Sequence, residues 1–269
     1  MKANGKVIVG TGGGSGIGRQ LVLDLLRRGA RVASVDISAE GMAETAQLAG
    51  EMSSRLSSHQ LNITDLAAVQ ALPDAVIAAH GAVDGIINNA GIIQRFIPFK
   101  DLTIAEIERV MNINYYGAIY MTKAFLPYLL QRPEAHIVNI SSMGGFLPVP
   151  GQTIYGSSKA AIKLFTEGLH SELKDTSVGV TVVFPGATAT NITVNSGLMT
   201  KEEQANLKSG HTIMNPADAA AATIIDAMEK NKYRVMVGKD AKMMDIYSRL
   251  MPEKAANLIY KSMKNLVPK

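Results

Sequence analysis

Tyr155 and Lys159 stand four residues apart, where Ile162, Phe165 and Leu169 begin to recur at helical spacing. Residues four apart share a helix face. An ammonium beside a phenol favours the phenolate, so the pairing predicts a tyrosine pKa below its usual value of about 10. Such a phenol is a general acid or base usable nearer neutral pH. The spacing alone says little, because most such pairs are solvated, and Tyr260 and Lys264 repeat it. Ser142 separates the two cases. It lies upstream of Tyr155, just past the apolar run His136–Ser141, whereas Tyr247 holds the equivalent place before Tyr260.

A second chemical feature lies near the start. Thr11–Gly18 reads TGGGSGIG, after the apolar run Lys6–Gly10 and ahead of a helical pattern over Gly16–Arg28. Glycines let a backbone turn sharply and approach a pyrophosphate, and the free amides of a helix start favour negative charge. The spacing, Gly12-x-x-x-Gly16-x-Gly18, departs from the strict G-x-G-x-x-G fingerprint. Asp36 ends the next apolar run, Arg31–Asp36. A carboxylate there accepts hydrogen bonds from a ribose diol and repels a 2′-phosphate. Neither Ser15 nor Ile37 supplies the cation that such a phosphate wants, so NAD is expected in preference to NADP.

These groups need a scaffold. Further β-branched runs fall at His59–Ile63, Val83–Asn88, His136–Ser141, Val178–Phe184 and Tyr233–Val237, separated by helix-length segments. One of these is a long helix from Asp101 to about Leu130, with Pro127 near its end, and Ser38 is the expected N-cap of another. This alternation predicts an α/β fold: one doubly wound, Rossmann-type domain whose parallel sheet of about seven strands carries helices on both faces. The domain is expected over residues 1–238, with a lid at about 191–214, followed by a basic amphipathic helical extension over 239–269. The chain has 269 residues, 47% apolar, no cysteine and a net charge of +4. Disulfides and thiolate metal sites are excluded, and the five histidines show no metal-ligand spacing, so no metal is expected. No secretory signal or membrane-length apolar run is apparent, and no basic stripe with interleaved aromatics, so a soluble cytoplasmic enzyme without nucleic-acid partners is expected.

Six motifs in order carry a family resemblance: TGGGSGIG at Thr11–Gly18, NNAG at Asn88–Gly91, NYYG at Asn114–Gly117, NISS at Asn139–Ser142, YGSSK at Tyr155–Lys159 and PGATAT at Pro185–Thr190. Together they resemble the short-chain dehydrogenase/reductase family over roughly residues 5 to 190. The resemblance implies a nicotinamide-dependent oxidoreductase acting on a secondary alcohol or ketone. It implies that Tyr155 exchanges a proton with the substrate oxygen, that Ser142 hydrogen-bonds that oxygen, and that Lys159 lowers the tyrosine pKa and contacts the nicotinamide ribose. Asn114 would hold a water linking Lys159 to solvent. The cofactor would rest on Gly12, Gly14, Ser15, Gly16, Ile17, Gly18 and Asp36, then Asn89, Ala90 and Gly91, then Pro185, Gly186, Thr188 and Thr190, besides Tyr155 and Lys159. Where the family often has an acidic residue near the adenine, this chain has Asn62, whose amide oxygen is expected to accept a hydrogen bond with Ile63 alongside. The resemblance also implies a dimer or tetramer, with helices around 101–130 and 153–175 at the interface.

In doubly wound sheets ligands sit beyond the carboxyl ends of the strands. The apolar residues Ile93, Phe96, Phe146, Leu147, Val149, Leu198 and Met199 are therefore expected to border the substrate, which suggests a hydrophobic, steroid-, acyl- or lipid-like molecule. The extension carries Met243, Met244, Tyr247, Leu250 and Met251, then Ala255, Leu258, Ile259 and Met263, at helical spacing among lysines. Such a helix packs on its own domain, closes over a substrate or lies on an acidic membrane. Two other functions remain open: a non-catalytic nicotinamide-sensing module, and a ketoacyl-type reductase using NADPH.

Overall fold

The computed structural model describes residues 1–200, 202–203 and 214–267. Seven strands form one sheet: β1 Val7–Thr11, β2 Arg31–Asp36, β3 Leu56–Gln60, β4 Gly85–Asn88, β5 Ala135–Ile140, β6 Val178–Pro185 and β7 Arg234–Val237. Their order is β3-β2-β1-β4-β5-β6-β7, and every neighbouring pair is parallel. The order reverses between β1 and β4, which opens a crevice at their carboxyl ends.

Alternation along β1 shows how the sheet is buried on both faces. Ile8 packs with Leu21 and Leu25 of α1 (Gly16–Arg27) and with Ile224 of the later helix 217–229. Val7 and Val9 face the opposite layer, with Val76, Phe125 and Leu169. That layer contains α3 (Leu66–His80), α5 (Gly117–Leu129) and α6 (Thr153–Glu172). Between β2 and β3 lies α2 (Ala39–Ala49), and the Ser38 side chain caps it by accepting from Gly41 N at 3.0 Å.

Two elements differ from the sequence pattern. β3 lies over Leu56–Gln60 rather than His59–Ile63, with Asp36 paired to Gln60. It is an edge strand of polar, half-exposed residues, so no apolar run marks it. The long helix expected over 101–130 is divided. Thr103 and Glu106 form a reciprocal capping box that starts α4 at Ile104. α4 (Ile104–Met111) passes into a wider π-type turn over Asn112–Tyr116 before α5 begins. Pro127 sits near the end of α5.

Past β6 come a single helical turn, α7 (Ile192–Asn195), then α8 (Ala217–Glu229), α9 (Lys239–Leu250) and α10 (Pro252–Met263). Proline at the first position of α10 needs no backbone N–H there. The inner faces of these last two helices pack on the domain: Met244, Ala255 and Ile259 close over Leu147. The outer face of α9 leaves Met243, Ile246 and Leu250 exposed. Of the stretch expected to act as a lid, 201 and 204–213 lie outside the described residues, as do 268–269.

His136 in β5 is 1% exposed. Thr181 donates to Lys232 O at 2.6 Å and so accepts from His136 Nε2 at 2.8 Å. Burial, with the chain's terminal ammonium, lowers the imidazole pKa to about 3. The unfolded chain binds this proton below about pH 6.5 and the folded chain does not. Stability should therefore fall as pH drops from about 6.5 towards 3. Melting curves should show a shallower loss of Tm between pH 6.5 and 5 for His136→Gln than for the parent chain.

Candidate active site

A cavity of about 810 Å³ fills the crevice above β1 and β4, at the large end of the range for small-molecule and cofactor sites. Every residue that the motifs nominate for the cofactor lines it: Gly12, Gly14 to Gly18, Asp36, Asn62, Ile63, Asn89 to Gly91, Tyr155, Lys159, Pro185, Gly186, Thr188 and Thr190. Ser142 lines it too, and Asn114 does not.

The glycine turn is held from three sides. Thr11 Oγ1 accepts from the amides of Asn89 and Ala90, both at 3.0 Å, and Asn89 Nδ2 donates to Thr11 O at 3.0 Å. Asp36 Oδ2 accepts from Gly14 N at 2.8 Å, and its Oδ1 accepts from Ser38 N at 2.9 Å. A Cβ on Gly18 would collide with Gly12 O, so the turn and α1 touch backbone to backbone. Ser15 precedes α1 and makes no capping bond, which leaves the first amides of a twelve-residue helix facing the cavity. That is an anion cradle, and it fits a dinucleotide pyrophosphate. From above, Asn195 of α7 donates to Ser15 Oγ at 2.7 Å. Asp240, at the start of α9, accepts from Ala187 N at 2.8 Å and braces the Pro185–Gly186 turn.

One expectation about this end changes, and one residue there was not foreseen. Asn62 lies beyond β3, and its Oδ1 accepts from both Thr64 N and Thr64 Oγ1, at 3.1 and 2.9 Å. The amide oxygen expected to meet an adenine is therefore occupied, and the amide nitrogen is left as the group to face the cavity. Ser15 and Ile37 supply no cation, yet Arg19 lines the same rim. Its guanidinium donates to Gly14 O and Glu44 Oε2, both at 2.6 Å, and to Thr45 Oγ1 at 3.1 Å.

The candidate reacting groups meet at the far end. Asn88 and Asn139 hydrogen-bond across β4 and β5 at 2.8 Å, and Asn139 donates onward to Thr166 of α6 at 3.0 Å. Ser141 Oγ donates to Lys159 O at 2.7 Å. These buried contacts fix α6 against β5, the strand that leads to Ser142. Ser142 Oγ accepts from Gly144 N at 3.1 Å, so its own proton is available to Tyr155. Lys159 is 4% exposed and donates to Ile140 O at 3.0 Å, with Nζ 5.9 Å from the Tyr155 ring centroid. Burial lowers its pKa to about 8.

The tyrosine itself departs from expectation. Burial raises the Tyr155 pKa, and the Ser142 hydrogen bond only partly offsets it. Lys159 is expected to lower it, but its ammonium, over the ring at 5.9 Å from the centroid, is engaged by the Ile140 carbonyl. Asn114 is likewise occupied. Its Oδ1 accepts from Ile92 N at 2.8 Å, and its Nδ2 donates to Ile92 O at 2.9 Å and Ser158 Oγ at 3.0 Å. The amide holds the backbone beside Lys159: a Cβ at Gly91 would lie 3.2 Å from both Asn114 Oδ1 and Lys159 Nζ.

A family model described as short chain dehydrogenase matches residues 6–201. The chain belongs to that family. SadH of Mycobacterium tuberculosis, provisionally named an oxidoreductase, is 36% identical over 98% of this chain and 97% of its own length. Dehydrogenase/reductase SDR family member 7B of Rattus norvegicus is 33% identical over 91% of this chain and 77% of its own length. Among solved structures, a Burkholderia phymatum short-chain dehydrogenase/reductase in complex with NAD superposes with a TM-score of 0.81 at 24% identity, over 93% of this chain and 96% of the other. Levodione reductase gives 0.79 at 26% identity, over 89% and 98%.

The substrate side of this short-chain dehydrogenase is less apolar than its loops suggested. Of the seven expected residues only Ile93 lines the cavity, joined by Ile92 and Ile192. Leu147 is buried under α9 and α10 with Phe146 and Val149 against it, and Phe146 meets Phe184 edge to face with centroids 5.6 Å apart. Phe96 lies against Gly151, while Leu198 and Met199 are half-buried outside the cavity. Helical spacing could not show that the extension, rather than a ligand, covers these groups. Arg109 lines the cavity unforeseen and donates to Ser196 O at 3.3 Å. Among the described residues no group of three or more metal-ligating side chains occurs.

Gly18→Ala should force the turn away from α1, since no side chain can yield where the obstacle is backbone. A fluorescence titration should show NADH affinity reduced at least about tenfold. Affinity within twofold of the parent would remove the turn from the cofactor site.

Proposed function

We propose that this oxidoreductase moves a hydride between NAD and a secondary alcohol or ketone, with Tyr155 exchanging the proton at the substrate oxygen. The observation that carries the reading is that Ser142, Tyr155 and Lys159 line the same cavity as the glycine cradle. The nicotinamide, when bound, supplies the hydride chemistry. Ser142 positions the substrate oxygen against the phenol. Lys159, whose pKa of about 8 lies close to neutrality, holds the ribose edge and can pass a proton. Asn114 acts by fixing Ile92 beside that ammonium. Ile93 and Ile192 offer an apolar wall, which suits a hydrophobic alcohol near its reacting carbon.

Asp36 favours NAD because a carboxylate stands where a 2′-phosphate would have to approach. Arg19 does not reverse this, since its guanidinium is already spent on Glu44, Thr45 and Gly14 O. That weighs against the NADPH-using ketoacyl-type reductase. The sensing module is disfavoured because a sensor has no use for the proton-transfer groups. Self-association through the α4–α5 and α6 faces is supported by exposed Ile104, Tyr116 and Leu164. Peripheral contact with acidic lipid is supported by exposed Met243, Ile246 and Leu250 beside Lys242 and Lys254. No helix among the described residues is long and apolar enough to cross a membrane.

Tyr155→Phe should keep NADH binding and lose about 100-fold or more of turnover on a panel of secondary alcohols and ketones followed by NADH absorbance. Undiminished turnover would sink the mechanism. NADH should bind more tightly than NADPH to the parent chain, and the reverse order would remove Asp36 from its role. Leu164→Glu should lower the mass measured by light scattering, and an unchanged mass would clear α6 from the interface.

A further inference from the structure

The helix that carries Tyr155 begins without a cap of its own. The residue before it, Gln152, makes no capping bond to the helix, and no acidic side chain stands in the first turn. The second and third amides of α6 belong to Ile154 and Tyr155, the places an N-cap side chain normally reaches. Both donate to a single oxygen from another part of the chain, Gln94 Oε1, at 2.7 and 3.0 Å. Gln94 is 4% exposed, and its Nε2 donates to Gly151 O at 2.9 Å. Its own carbonyl accepts from Gln152 Nε2 at 2.8 Å. One buried amide therefore ties the last loop residue but one, Gly151, to the first turn of α6. Gln94 does not line the cavity, so it has no direct route to cofactor or substrate.

We infer that Gln94 is a positioning residue for Tyr155, acting as a long-range cap that fixes the first turn of α6 and with it the phenol. The tyrosine's own amide is one of the two groups held, so release of the cap moves the reacting residue itself. Neighbouring contacts explain why this position can be held rigidly. Ile92 is gripped by Asn114, and Ile93 N donates to Ser196 Oγ at 2.9 Å. The backbone on which Gln94 rides is thus tied at the two residues before it.

The inference rests on Tyr155 being the proton-transfer group, and the test separates the two. Gln94→Met keeps the volume and removes both hydrogen-bonding atoms. Deuterium exchange of a peptide spanning residues 153–159 should speed up at least about tenfold in the first turn. Turnover should fall about 10- to 100-fold, the range expected when a reacting group shifts by about an ångström. NADH affinity should stay within twofold. Gln94→Glu keeps an acceptor for the two amides, exchanges the donor to Gly151 O for a carboxylate oxygen, and adds a negative charge at the Tyr155 amide. It should fold, and the pH profile of turnover should move to higher pH because the phenolate is disfavoured. A cap with only a structural role would leave that profile in place.

Unchanged exchange and turnover in Gln94→Met would overturn the inference. If Gln94→Met does not fold, an unshifted profile in Gln94→Glu would overturn it and a shifted one would support it. If Tyr155→Phe stays active, the proton-transfer reading fails by itself, and exchange in Gln94→Met decides whether the cap exists.

Discussion

The backbone from Asn89 to Gln94 has no regular structure, and side chains from four other places hold it. Thr11 takes the amides of Asn89 and Ala90, Asn114 takes both polar groups of Ile92, Ser196 takes the amide of Ile93 and Gln152 takes the carbonyl of Gln94. Buried amides and carbonyls must find partners, so an irregular segment at the centre of a fold survives only if other elements supply them. Each partner belongs to a different part of the site: the glycine turn, the π-type turn, the segment after α7 and the loop into α6. The same six residues therefore join the glycine turn to the surroundings of Tyr155 and Lys159. Displacing the segment would disturb both at once.

The reacting end is also poised electrostatically. Burial opposes charge on Tyr155 and on Lys159, so neither ion is favoured by solvent. A hydroxyl and a carbonyl partly compensate, through Ser142 and Ile140. Burial thus holds the phenol protonated and makes the ammonium the easier of the two to deprotonate. The glycine turn makes the complementary arrangement, with backbone amides directed at the place for negative charge and a carboxylate at its far edge.

Much of the scaffold could be read along the chain, for definite reasons. Buried parallel strands appear as short β-branched runs, and six of the seven strands were visible in that way. β3 was misplaced because an edge strand of polar residues has no such signature. The break at Asn112–Tyr116 is hidden because the residues there retain helical spacing, and the grip of Asn114 on Ile92 joins it to a segment distant in sequence. Asn62 was located correctly beside the cavity, but its bond to Thr64 depends on a local turn that residue type alone does not declare. Phe146, Leu147 and Val149 looked like a substrate wall until α9 and α10 were seen to cover them.

Residue type and order determined which groups could react: a phenol, a lysine one turn on, a serine at a strand end, a glycine turn and a carboxylate beyond the second strand. These are local or motif-level facts, set by periodicity and by the conformations that glycine permits. Tertiary structure decided what those groups experience. It buried Lys159, kept its ammonium on the Ile140 carbonyl, raised the tyrosine pKa and turned Arg19 towards Glu44. It also brought Gln94 to the start of α6, across an interval that no spacing rule connects. Desolvation and long-range hydrogen bonds depend on which surfaces meet in space, and the order of residues along a chain does not contain that information in local form.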